Sequence, residues 1–229
     1  MNEKRMAMST FEPARSAAFY VRSGVRTFLL LDFDGVINIL QRTGLNERDL
    51  STLFPVEKVE NHPNPFYDEA ANAALDRHDP FVRIEPTHYA LGWSGEMVAG
   101  LSTLALRDDV QVIWLTTWRE HMLDVCARIG LISARPMVYL PWGQVKDSPQ
   151  WEKIDAAVTY FTAVNDTVPY GENVKVAWVD DQVIVSETIR ENPLGDDLSF
   201  EQQCLIGPDP SSGLNRAEMA DLTAFVGGH

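Results

Sequence analysis

Cysteine is scarce in this 229-residue chain: Cys126 and Cys204 are the only two, and no CxxC spacing occurs. That speaks against a disulfide framework and fits a reducing compartment. No uninterrupted apolar run approaches the roughly 20 residues needed to span a bilayer. The opening stretch MNEKRMAMSTFEPARSAAFYVRSGVR lacks the compact apolar segment and small-residue cleavage site of a secretory signal. A cytoplasmic protein with no membrane partner is the expectation. Basic residues are also few. Lys and Arg number 19 against 33 Asp and Glu, a formal net charge of −14. That balance argues against a broad nucleic-acid-binding face. One phosphorylated ligand stays open, because a bound cation can reverse the sign of a local site. Neither repeats nor low-complexity tracts break the chain.

What is present is an alternation. Apolar runs at 26–32 (RTFLLLD), 109–116 (DVQVIWLT), 136–141 (PMVYLP), 173–181 (NVKVAWVDD) and 203–207 (QCLIG) read as strands covered on both faces. Between and after them lie helical patterns. Ser94 caps one in which Met97, Val98, Leu101, Leu104 and Ala105 share a face. REHMLDVCARIG stops at Gly130, and SPQWEKIDAAVTYF opens with Ser148 as cap and Pro149 in the first turn. NRAEMADLTAFV pairs Asn215 with Glu218 in a capping box. The alternation predicts an α/β fold, a Rossmann-like doubly wound parallel sheet. Residues 1–25 form a lead-in and 26–229 the core domain. Residues 39–90 break the rhythm and are too long for a bare connection. They read as a small insertion, with a short helix at 68–76 and an extended piece at 81–85, set as a lid over the end of the first strand.

Ligands bind outside the carboxyl ends of strands in such sheets. Three of the runs end there in polar pairs: Asp32 with Asp34, Thr116 with Thr117, and Asp180 with Asp181. Four carboxylates gathered at one edge repel and lose water, so a compensating cation is implied. Oxygen-only ligands with room for water suit Mg²⁺. The spacing of His62, His78, His88 and His121 matches no zinc pattern. DFDG is not an EF-hand loop, since it runs on into Val36 and Ile37 without further ligands.

LLLDFDGVIN resembles motif I of the haloacid dehalogenase (HAD) superfamily, an apolar strand followed by DxDGT/V. VIWLTTW resembles the strand of motif II, and VAWVDD the paired acids of motif IV. Order and separation agree, so the resemblance covers about residues 26–207. LTTW, AWVDD and the late PDPSSGLNRAEMADL are also similar to the HAD domain of Swiss Army Knife RNA repair proteins, on shorter and commoner patterns.

The resemblance implies a Mg²⁺-dependent phosphohydrolase acting on a phosphomonoester. Its substrate would be a phosphorylated small molecule or nucleotide, or a nucleic-acid end phosphate, which the net charge does not favour. Asp32 would be the nucleophile and Asp34 the general acid and base, with Gly35 permitting the turn that aims it. Asp32, the Asp34 carbonyl, Asp180 and Asp181 would hold the metal. Thr116 and the amide of Thr117 would bind phosphoryl oxygens, and Trp118 and Arg119, which follow directly, would contact substrate. The family also requires a lysine, and two positions qualify. Lys153 in QWEKIDAAV resembles the lysine of the Swiss Army Knife branch, with its aromatic neighbour and helix start, while Lys146 in VKDSP resembles a K-x-x-P form. Alternatives are a phosphotransferase or halide-displacing relative, and a non-catalytic metal-binding module of the same fold.

Overall fold

The computed structural model describes residues 24–39, 52–63, 88–140, 149–167, 174–183 and 202–228. Its centre is a five-stranded parallel sheet. In chain order the strands are β1 (Thr27–Leu31), β4 (Val110–Trp114), β5 (Val138–Tyr139), β6 (Lys175–Val179) and β7 (Gln202–Ile206). The spatial order is β5-β4-β1-β6-β7. β1 therefore sits between β4 and β6, with Leu31 level with Trp114 on one side and Val179 on the other. The expected doubly wound α/β architecture is what the chain adopts.

The central strands β1, β4 and β6 are buried on both faces, which is why they read as continuous apolar runs. Leu29, Leu31, Val112, Trp114, Ala177 and Val179 join one core layer. That layer is completed by α1 (Gly95–Ala105), α2 (Met122–Ile129) and α4 (Arg216–Gly227). Phe28, Leu30, Ile113, Val176 and Trp178 point the other way, onto α3 (Pro149–Thr167) through Ile154, Ala157, Tyr160, Phe161 and Val164. Each fully buried Val, Leu, Ile or Phe among them contributes roughly 1.5–3 kcal/mol of transfer free energy.

Helix ends follow the chemistry of their sequence. Ser94 accepts from the Met97 amide, and Asn215 with Glu218 forms the full capping box. Gly130 closes α2 in the left-handed conformation (φ 80°). One helix starts later than its pattern: Arg119–His121 is a turn of 3₁₀ helix, and α2 begins at Met122. β5 shrinks to two residues, since Pro136 has no N–H to add to an edge ladder.

The larger difference lies in the insertion. β2 (Lys58–Pro63) and β3 (His88–Trp93) form an antiparallel ribbon separate from the main sheet. The sequence shows no strand here because β2, KVENHP, buries only His62 and so carries no alternation. β3 leads straight through Ser94 into α1. The expected helix at 68–76, the extended piece at 81–85 and most of the lead-in lie outside the described residues, as does Ser148. Among the described residues no helix is long and apolar enough to cross a membrane.

Candidate active site

The parallel register dictates what meets at the sheet edge. Asp32 is the first residue past β1, and Asp180 the first past the adjacent β6. Their oxygens, with one from Asp181, all lie within 4.8 Å of one another. Asp32, Asp180 and Asp181 are buried. Thr116, two residues past β4, is buried on the other flank of Asp32.

The cluster is held by a lysine from the opposite layer. Lys153, in the second turn of α3, is only 2% exposed. Its ammonium donates to Asp32 Oδ2 and, at 2.9 Å, to Asp180 Oδ2. Burial opposes its charge, but Asp32 and Asp180 together raise its pKa above the ordinary lysine value, so the cation persists. Lys146 lies outside the described residues.

Each carboxylate is oriented separately. Asp32 Oδ1 accepts the Phe33 amide at 2.7 Å. Asp180 Oδ1 accepts the amides of Gln182 and Val183 at 2.9 and 2.8 Å, which locks the turn after β6. Asp34 Oδ1 accepts from Asn38 Nδ2 at 2.6 Å and its Oδ2 from Trp118 Nε1 at 2.8 Å. Asp181 differs: its Oδ1 is buried with no hydrogen-bond partner among the described residues. A buried bare carboxylate oxygen facing two other carboxylates fits a cation ligand, because otherwise it would forfeit water without return.

Electrostatics point the same way. Burial, with repulsion from Asp180, lifts Asp32 to about 7 despite Lys153. Burial and then Asp180 lift Asp181 to about 6. Burial also raises Asp34, against the lowering by Asn38 and Trp118. One ammonium does not balance four carboxylates, and an oxygen-only donor set of this kind suits a hard divalent ion.

The turn between β1 and the insertion is built for close approach. Gly35 has φ 74°, and a Cβ there would fall into the Asp181 carboxylate. The Phe33 carbonyl accepts the amides of Val36, Ile37 and Asn38, which closes the turn that carries Asp34. Thr117 is exposed at the site, and Arg119 is half-buried with φ 47°. Thr116 Oγ1 accepts the Trp118 amide at 3.4 Å. The chain after Thr117 enters the 3₁₀ turn Arg119–His121 before α2 begins. Trp118, read from sequence as a substrate contact, is fully buried, and its one polar side-chain atom faces Asp34. Asn38, His62 and Tyr89 were not singled out by the site motifs, yet Asn38 holds Asp34 and the other two pack on Trp118.

No family model and no curated protein matches the chain. Among solved structures it is similar to the HAD domain of the effector protein Lem4 from Legionella pneumophila. The identity is 14%, covering 88% of this chain and 95% of that one, with a TM-score of 0.42. An inactive mutant of the same domain matches at 13% identity over 87% and 93%, again with a TM-score of 0.42. Neither is a Swiss Army Knife RNA repair protein, so that narrower likeness gains nothing here.

Proposed function

We propose that this chain is a Mg²⁺-dependent HAD-type phosphohydrolase that cleaves a phosphomonoester through an aspartyl-phosphate on Asp32. The observation that carries the reading is the meeting of Asp32, Asp180 and Asp181 at adjacent parallel strand ends, with buried Lys153 paired to Asp32 and Asp180 and Asp34 held on the turn that follows β1. In this reading the Asp32 carboxylate attacks phosphorus, and Asp34 gives its proton to the departing ester oxygen. Asp34 then takes a proton from the water that hydrolyses the acyl phosphate. Burial holds Asp34 above the usual carboxylate range, which suits a group that must arrive protonated. Lys153 offsets the charge of Asp32 and of the incoming phosphoryl group, and Thr116 with the Thr117 amide binds phosphoryl oxygens. Asp32, the Asp34 carbonyl, Asp180 and Asp181 would hold Mg²⁺, which when bound supplies charge neutralisation at the transferring phosphoryl. Arg119 borders the site as a substrate-recognition residue, and residues 39–90 serve as the lid. A phosphorylated small molecule or nucleotide is the proposed substrate class.

Turnover of p-nitrophenyl phosphate with and without Mg²⁺ tests this, with Asp32→Asn as comparison. Activity lost in the variant and an acid-stable, hydroxylamine-sensitive phosphoenzyme in the wild type support it. Equal turnover by wild type and Asp32→Asn sinks the nucleophile. Metal binding without turnover on any phosphomonoester favours the non-catalytic module, and transfer to an added alcohol in preference to water favours the phosphotransferase.

A further inference from the structure

We infer that Trp118 is the positioning residue of Asp34 and that the β2–β3 ribbon is the frame that holds it, an inference resting on the phosphohydrolase reading above. Asp34 accepts on both oxygens from different side chains, Asn38 at 2.6 Å and Trp118 at 2.8 Å. Two donors on two oxygens fix the plane of the carboxyl group, where one would leave it free to swing about a broad terminal torsion. Each oxygen keeps a second lone pair, which is where the transferable proton resides.

Both donors are held by the ribbon. The Gly92 amide of β3 donates to Asn38 Oδ1 at 2.8 Å, and the Gly92 carbonyl accepts the Ile39 amide at 2.7 Å. A Cβ on Gly92 would come within 2.8 Å of the Ile39 carbonyl oxygen, so the ribbon reaches the turn only through glycine. On the other side, the Trp118 ring stands edge-to-face with Tyr89 of β3 and His62 of β2, at 5.2 and 5.5 Å between centroids. Phe33, between the two catalytic acids, closes a third side at 5.6 Å. His62 is the single buried side chain of β2, and the ring it meets is Trp118. The ribbon thus reaches the site through the residues that orient Asp34.

The chemistry says where this matters. In the first step a bond forms between an Asp32 oxygen and phosphorus, and the phosphorus–ester oxygen bond breaks. Its electron pair leaves with that oxygen, which takes the proton of Asp34. An alkoxide needs the proton as it departs, whereas p-nitrophenolate leaves without it. A carboxyl that is no longer held delivers the proton poorly, so the penalty falls on poor leaving groups.

The test replaces Trp118 by Phe and, separately, by 3-benzothienylalanine, which keeps the ring shape and puts sulfur in place of the N–H. kcat and KM are measured with Mg²⁺ on p-nitrophenyl phosphate and on an alkyl phosphate such as glycerol 2-phosphate. On the alkyl phosphate kcat/KM, which reads the steps through phosphoenzyme formation and not its later hydrolysis, should fall about 10- to 100-fold, the size expected for losing a hydrogen bond to the carboxylate that forms as Asp34 gives up its proton. The aryl phosphate should lose only a few-fold, so the aryl-to-alkyl ratio shifts in the direction given by Asp34→Asn. Equal losses on both substrates, or an unchanged ratio in the benzothienyl variant, overturn the inference while the phosphohydrolase reading stands. Should Trp118→Phe melt out of the fold, the isosteric variant decides alone. A wild type inert toward every phosphomonoester overturns both.

Discussion

Gly35 and Asp181 occupy adjoining space: the position of a Cβ on Gly35 is already filled by the Asp181 carboxylate. The same glycine stands at φ 74°, where a side chain is strained. Gly35→Ala is therefore expected to destabilise the protein by roughly 1–3 kcal/mol from backbone strain. It should also push Asp181 off the cluster and weaken Mg²⁺ binding. Urea unfolding with and without Mg²⁺ reads both effects. A variant with wild-type midpoints in each condition would show that the turn relaxes freely.

Lys153 ties α3, on one face of the sheet, to the strand ends through Asp32 and Asp180. Truncating one partner of a buried ion pair leaves an uncompensated charge and costs about 3–5 kcal/mol. Lys153→Met is expected to lose stability in that range together with its activity. Adding Asp32→Asn removes one of the stranded carboxylates, so the double variant should be more stable than the sum of the two single losses predicts, by about 0.5–3 kcal/mol. Strict additivity in denaturant melts would mean that the contacts contribute independently.

Cys126 is on the buried face of α2, with its thiol pushed up to about 12 by burial. At pH 8 on the order of one such thiol in ten thousand is ionised, so the folded protein should not react there. Cys204 is half-buried and raised as well, by burial and then by Asp221, and should label slowly but first. Iodoacetamide labelling followed by peptide mass mapping checks the order. Cys126 modified as fast as Cys204 without denaturant would place it in an opening segment rather than in the core.

The sheet was legible because β1, β4 and β6 are buried on both faces and leave continuous apolar runs. The acids announced themselves by standing directly after those runs. The ribbon was not legible: only His62 of β2 is buried, and a strand without alternation has no signature. The lysine was half legible. Sequence offered Lys153 and Lys146, and nothing in a linear pattern says which ammonium crosses beneath a sheet. Trp118 was noticed for its place after Thr117, but only packing shows that its indole faces Asp34. Asn38 escaped because a lone amide at the end of VIN looks like an ordinary turn residue.

The orphaned oxygen of Asp181 leads to the last expectation. Asp181 stands at about 6 and Asp32 at about 7 in the folded chain, against 3.8 for the free side chain. Between those limits the folded state binds more protons than the unfolded state, so stability falls as pH rises from about 4 toward 7. On the proposed reading Mg²⁺ would bind the ionised forms and is expected to reverse the trend by mass action, about 2.7 kcal/mol at a concentration one hundred times its Kd. The thermal shift on adding Mg²⁺ should thus be large at pH 7.5 and shrink toward pH 5. Asp181→Asn removes one raised acid and one ligand together. It should melt higher than wild type at pH 7.5 without metal and gain less from Mg²⁺. Overall acidity contributes equally to both proteins, so their difference isolates this site. A wild type whose melting temperature ignores Mg²⁺ at pH 7.5, in a titration to 10 mM or so, would mean that the three carboxylates share protons rather than a metal.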